Sequence, residues 1–190
     1  RDNVPHVELT REVARLFNRT YGETFPEPQE RLNEAANVPG LDGGGAMSKS
    51  VPGSYIALSD PPEEIRRKLD RAVTDPARQR RRDPGEPSRC HIYTIHGFYT
   101  PAAKRGELAR GCRSGGIGCL ECKRILADEV IADLAPLQAR RAELAAHPDT
   151  VRDVLREGAR RVRPRAQATL AEAREKMGIG ARQPVSKGQT

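Results

Sequence analysis

The sequence predicts a short α/β segment over residues 1–60, a mostly α-helical domain over 61–179 and a disordered tail over 180–190. Three observations point there. Before residue 60, an amphipathic stretch and a glycine-rich loop lead into a single strand candidate. After residue 61, apolar residues recur at helical spacing almost to the C-terminus. Between those helical stretches, four cysteines fall in a loop-rich region, 90–122.

Taken in order, residues 7–19 (VELTREVARLFNR) set Leu9, Val13, Leu16 and Phe17 on one helix stripe. Residues 20–45 read as loop with one helical turn around Pro28–Ala36, ending in the flexible run Gly43-Gly44-Gly45. Ser54-Tyr55-Ile56-Ala57-Leu58 is the strand candidate. Asp60, Pro61 and Glu63 resemble a helix-start capping box, and Ile65, Leu69 and Val73 form the buried stripe of a helix stopped near Pro76. Residues 76–89 (PARQRRRDPGEPSR) read as an exposed Pro- and Arg-rich connection. Ile125, Leu126, Val130, Leu134 and Leu137 mark a further helix, kinked at Pro136. Another begins near Asp149, carries Val151, Val154 and Leu155 and bends near Pro164, and a last one runs to Met177 with Gly178 as its cap.

The bulk numbers narrow the function classes. Lys plus Arg number 33 against 26 Asp plus Glu, a net charge of +7, which favours a polyanionic partner. No window approaches a membrane-spanning apolar run. The N-terminus has no secretory layout, so the reading is cytoplasmic, and the chain opens on Arg1 as one cut from something longer would. In a reducing compartment, four cysteines favour ligation over disulfides.

Two constellations can perform chemistry. Met47-Ser48-Lys49-Ser50 follows the triple glycine, and a mobile loop of this kind can close over a triphosphate with hydroxyl and N–H donors. Lys49 would there neutralise charge on a leaving pyrophosphate. Cys90, Cys112, Cys119 and Cys122 form C-x21-C-x6-C-x2-C around the turn Gly115-Gly116-Ile117-Gly118, a pattern suited to one four-thiolate site. Lys123, Arg124 and Arg113 are candidates to offset its negative charge. Zinc and an iron–sulfur cluster both accept four cysteines, so the chemistry leaves the choice open. Tyr93, Phe98 and Tyr99, flanked by Arg89, His91, Lys104 and Arg105, form either a platform for unstacked bases or core filling.

The flanks of the MSKS loop, Val38-Pro39-Gly40-Leu41-Asp42-Gly43 and SDPPEEIRRKLDRAVTDP from Ser59 to Pro76, closely resemble tryptophanyl-tRNA synthetases. The opening DNVPHVELTR resembles that family's GEDQ…H.ELTR segment, and GCRSGGIGCLECK resembles the cysteine motif of a subset that holds a [4Fe–4S] cluster. The resemblance spans Arg1 to about Ile179. It implies that residues 1–60 are the C-terminal part of a class I Rossmann-like catalytic domain and that 61–179 bind the anticodon. It implies ATP contacts, with Mg²⁺, at Arg1, Asp2, Val38, Ala46, Met47, Ser48, Lys49 and Ser50, with Lys49 catalytic. It favours the cluster over zinc at the four cysteines, and implies tryptophan and tRNA(Trp) as partners and a homodimer. Three positions depart from the pattern: Ala46 replaces the first lysine of KMSKS, Arg1 an acidic residue and Asn3 a glutamine. The HIGH motif and the indole-binding segment do not occur, so residues 1–190 alone are expected not to form tryptophanyl-adenylate. The competing readings are a non-enzymatic four-cysteine RNA-binding module and a synthetase-like regulator that retains nucleotide binding.

Overall fold

The structure, a computed structural model, describes residues 3–33, 35 and 37–179. Arg1 and Asp2, expected at the nucleotide, and the tail at 180–190 lie outside the described residues. Six α-helices occur among those described: α1 (Val4–Tyr21), α2 (Pro62–Arg71), α3 (His91–Tyr99), α4 (Ala102–Arg113), α5 (Cys119–Ala146) and α6 (Pro148–Lys176). A 3-10 turn at Pro87–Arg89 precedes α3. The chain divides into two compact units. One is Asn33–Ala146; the other draws on both chain ends, Arg1–Leu32 and His147–Thr190. No described helix is long and apolar enough to cross a membrane.

The core of Asn33–Ala146 forms where α2 and α3 pack against α5. Leu126, Ala127, Val130 and Leu134 make the inner face of α5, and Ile65 and Leu69 of α2 and Ile92 and Ile95 of α3 meet it with Leu41. Full burial of side chains this large stabilises by roughly 1.5–3 kcal/mol each. Helix α2 is also matched to its dipole, with Glu63 and Glu64 in its first turn and Lys68 and Arg71 in its last. Lys123, buried on α5, donates to the Asp70 carbonyl at 2.9 Å and so satisfies an end carbonyl of α2. Gln138 of α5 holds the approach to α2 by donating to the Leu58 and Asp60 carbonyls, each at 3.0 Å.

Several sequence expectations change. The strand at Ser54–Leu58 does not form, and among the described residues the one β feature is an isolated antiparallel bridge, Pro39–Ala46. A strand exists only through a paired neighbour. Here the Ser54 carbonyl accepts from Leu41, and the Ala57 N–H donates to the Asp60 carboxylate at 2.8 Å. That carboxylate therefore does not cap α2; Pro61 holds the cap position and Pro62 the first helical one. Helix α2 ends at Arg71, leaving Val73 exposed. Pro28–Asn33 carry no helical turn. Helices α3 and α4 appear in the region read as loop. Helices α5 and α6 run unbroken through Pro136 and Pro164. The carbonyl freed at Pro164 belongs to a mostly exposed helix, where water can satisfy it.

In the second unit, α1 forms as expected, but Leu9, Val13 and Leu16 are exposed and only Ala14 is buried. Phe17 instead packs on Tyr21 and on Phe25, with ring centroids 5.0 and 4.8 Å apart. Asn18 closes the turn after α1, its Oδ1 accepting from the N–H groups of Thr24 and Phe25. Lys176 of α6 donates to the Glu23 carbonyl and, at 2.9 Å, to the Thr24 hydroxyl.

Candidate nucleotide loop and four-cysteine centre

The segment 38–54 is a closed loop pinned at several points. Met47 N–H donates to the Val38 carbonyl at 2.8 Å, and Gly40 N–H to the Gly45 carbonyl at 2.8 Å. Val38 and Met47 pack their side chains on the core. The buried Ser54 hydroxyl donates to the Ser48 carbonyl at 2.8 Å and accepts from the Ser48 N–H at 3.1 Å, so one side chain holds both backbone groups of Ser48 within MSKS. Ser48 Oγ accepts from the Ser50 N–H at 3.3 Å. Ser54 was counted only as a strand residue in the sequence, and no local signal marks this role. Ala46, exposed, sits in the bridge with Pro39.

Lys49 is exposed and lines a hollow of about 650 Å³ together with Asp42, Tyr55, Arg67, Lys68 and Arg71. That volume is in the range of small-molecule sites, roughly 300–1,000 Å³. Two of its cations are already engaged. Lys68 pairs with Asp60 at 2.5 Å and lies 4.8 Å from the Tyr55 ring centroid; Arg67 pairs with Glu64 at 2.5 Å. Helix α2 thus presents Arg71 beside the loop's Lys49, a juxtaposition that sequence reading did not foresee.

The four cysteines converge from three helices. Cys90 is the residue before α3, Cys112 lies in the last turn of α4, and Cys119 and Cys122 lie in the first turn of α5. All four are free thiols and line one small hollow of about 20 Å³, with Arg78, Tyr93 and Ile117 in its wall. Among the described residues, no three His, Cys, Asp or Glu side chains are grouped to hold a single metal ion. Burial, then the neighbouring thiols, push Cys122 up to about 12, and burial raises Cys112 too. Both are protonated at neutral pH.

Three observations test whether a thiolate-bound group suits this wall. The donor set is four thiols on one hollow. A Cβ at Gly85 would come within 2.7 Å of Cys112 Sγ, so the cradle is kept open by a glycine. Arg78 presents a buried Nε with no partner. The four thiols on one wall are a donor set that suits a thiolate-ligated group. Of the cations picked from sequence, Lys123 donates to the Asp70 carbonyl while its charge still interacts with Cys119, Cys90 and Cys122, and Arg113 lies 3.7 Å from Glu86.

His96 was left unassigned in the sequence, and Tyr93 and Tyr99 were left between two readings. His96 is fully buried, with Nδ1 2.7 Å from the Thr100 hydroxyl and Nε2 3.2 Å from the Cys122 carbonyl and 3.4 Å from its Sγ. Burial lowers it to about 4, so the ring is neutral at physiological pH and positions Cys122 by hydrogen bonding. Tyr93 and Tyr99 pack against the core, and the Tyr93 hydroxyl donates to the Arg105 carbonyl at 3.3 Å. Their packing supports the core-filling alternative for these two rings.

Comparison with known proteins gives a consistent set. Residues 1–135 match the family model for tRNA synthetases class I (W and Y). The chain is 46% identical to the tryptophan–tRNA ligase of Deinococcus radiodurans over 94% of its own length and 54% of that protein. It is 41% identical to the Aquifex aeolicus tryptophan–tRNA ligase, covering 94% of this chain and 45% of that one. The Campylobacter jejuni tryptophanyl-tRNA synthetase structure, complexed with ADP and tryptophan, superposes with a TM-score of 0.75 at 30% identity, over 94% of this chain and 55% of that one. The chain therefore spans about half the length of the curated relatives it matches.

Proposed function

Because the chain belongs to the class I tRNA synthetases for tryptophan and tyrosine, we propose that it is the ATP-gripping and anticodon-facing part of a tryptophan–tRNA ligase. The reaction has two steps. The tryptophan carboxylate attacks the α-phosphate of ATP, forming a new O–P bond as the bond to pyrophosphate breaks; a terminal ribose hydroxyl of tRNA(Trp) then attacks the aminoacyl carbonyl, forming the ester as the anhydride bond breaks and AMP leaves. The observation that carries the reading is Lys49, on a glycine-flanked loop, lining a nucleotide-sized hollow. Its ammonium neutralises charge growing on the pyrophosphate, whose Mg²⁺ arrives with ATP. Ser48 and Ser50, with Val38, Ala46 and Met47, are the loop positions that the family resemblance assigns to ATP although they do not line the hollow itself, and Arg1 and Asp2 are further contacts. Ala46 withholds the cation that the family places first in the loop, and Arg71 offers one from α2. The functional segments on this reading are 1–60 for nucleotide chemistry, 61–179 for the anticodon and 180–190 as a tail, working as a homodimer in the cytoplasm.

Cys90, Cys112, Cys119 and Cys122 would hold an iron–sulfur cluster of the [4Fe–4S] type, with zinc as the alternative. Their place on one shared hollow supports ligation by all four, and the resemblance of the cysteine motif favours the cluster. When bound, the group would fasten the starts of α3 and α5 to the end of α4, a structural service. His96 holds Cys122 in place from α3.

Calorimetric titration with magnesium–ATP tests the nucleotide reading. Lys49→Ala should weaken binding at least tenfold and Arg71→Ala several-fold, while Ala46→Lys should strengthen it, as charge-assisted phosphate contacts predict. Unchanged affinity in Lys49→Ala removes the loop from the site and favours a non-enzymatic RNA-binding module.

A further inference from the structure

The end of α2 is gripped from two sides. On one side is the MSKS loop: the Val73 N–H donates to the Leu41 carbonyl at 2.7 Å, and the Leu41 N–H donates to the Ser54 carbonyl at 2.9 Å. The two segments lie so close that a Cβ on Gly43 would meet Val73 Cγ1 at 3.1 Å. On the other side is Lys123 of α5, only 7% exposed, whose ammonium donates to the Asp70 carbonyl at 2.9 Å. A buried ammonium is costly, and a packed apolar side chain of similar volume often serves stability as well or better. The Arg66–Asp128 pair also joins α2 to α5, at 2.6 Å, but it is exposed and contributes little. Stability alone does not call for a lysine at position 123.

Asp70 immediately precedes Arg71, the last residue of α2. Arg71 lines the hollow of about 650 Å³ with Lys49, whereas Arg67 and Lys68 of the same helix are paired with Glu64 and Asp60. We propose that Lys123 is a positioning residue for nucleotide binding: by holding the Asp70 carbonyl it fixes the last turn of α2, with Arg71 aimed at the phosphates that Lys49 receives. The inference rests on the nucleotide reading above and deepens it by naming what aims the second cation. Helix ends fray, and a last turn that had to be ordered on binding would offset part of what the guanidinium–phosphate contact contributes. Lys123 does not line the hollow, so it touches no nucleotide itself and acts through Arg71.

A double-mutant cycle on the whole chain, read by calorimetric titration with magnesium–ATP, tests this. Lys123→Met keeps the apolar stem and removes the donor; far-UV circular dichroism checks its fold. Lys123→Gln, whose amide ends one atom short of the ammonium, is the second variant and carries the same expectation. Either change should weaken binding several-fold, by no more than Arg71→Ala does, because the most that can be lost is the contact Arg71 makes. In the Arg71→Ala background the same change should alter affinity by less than about twofold, the scatter expected of independent sites. A merely structural latch would weaken both backgrounds alike, and that result overturns the positioning role. Affinity unchanged in both Lys123 variants, or in Arg71→Ala, overturns it too while leaving Lys49 in the site. A wild-type chain that binds no magnesium–ATP overturns the nucleotide reading and this inference together.

Discussion

Replacing Gly115 by alanine tests how the turn between α4 and α5 sets the cysteine geometry. Gly115 sits at φ +69°, the left-handed region, and donates its N–H to the Cys112 carbonyl at 3.2 Å. A side chain there pays twice. The left-handed backbone disfavours an L-residue by about 1–2 kcal/mol. The new Cβ would also sit on the Arg82 carbonyl, which is backbone and cannot swing away. Displacing it strains the neighbouring bond from Gly85 N–H to the Cys112 carbonyl, 3.0 Å long. Losing such a bond costs about 1 kcal/mol. The sum is about 2–3 kcal/mol, which for a unit of this size lowers the melting midpoint by roughly 10–15 °C. Gly116 is the internal control: the one tight approach to its Cβ would be the Ser114 hydroxyl, at 3.1 Å, the end of a side chain that can rotate, while the Gly111 backbone lies at an ordinary contact distance of 3.7 Å. Thermal melts followed at 222 nm compare the two. Gly115→Ala melting together with Gly116→Ala would refute the argument, and with it the claim that this turn is what delivers Cys119 and Cys122 to Cys112.

Leu69 is fully buried at the α2–α5 contact, so Leu69→Ala should lose roughly 2–5 kcal/mol in urea unfolding, a range set by how far the site collapses. Asp75 is buried, and its carboxyl is held below the usual range first by the Glu86 N–H, at 2.9 Å, and then by the Ala77 N–H, at 3.0 Å. A depressed folded value gives stability that is present above about pH 3.9, the unfolded value, and lost as pH falls through the folded one. Asp75→Asn should therefore destabilise most at neutral pH and converge on wild type below pH 4 in acid-titrated melts. With a net charge of +7, tRNA affinity should fall with salt at a log–log slope of about −0.9 per duplex phosphate contacted; filter binding across a potassium chloride series that shows no slope counts against an RNA partner.

The helical content was legible where period and burial agreed. Ile65 and Leu69, and Leu126, Val130 and Leu134, repeat on one face, and those faces meet in the core. The same rule found α1, which forms, but periodicity reports that a helix has an apolar side and not what covers it; Leu9, Val13 and Leu16 remain exposed. Helices α3 and α4 escaped notice because glycines and cysteines broke the pattern of 91–113, and the strand at 54–58 failed because composition cannot supply a pairing partner. The pinned closure of the MSKS loop by Ser54 and the place of His96 left no local trace.

Chemistry confined to neighbours in the chain was written in residue order: the glycine-flanked MSKS run, the four cysteine positions, the excess of positive charge and the resemblance they support. Which groups meet across distant segments was decided only by packing. Docking of α2 and α3 on α5 brings Arg71 beside Lys49 and the Cys122 thiol beside His96, and folds Arg78 out of its basic run to face sulfur. Linear spacing fixes what a residue can do, but burial and the partners that folding supplies determine which of those capacities is used.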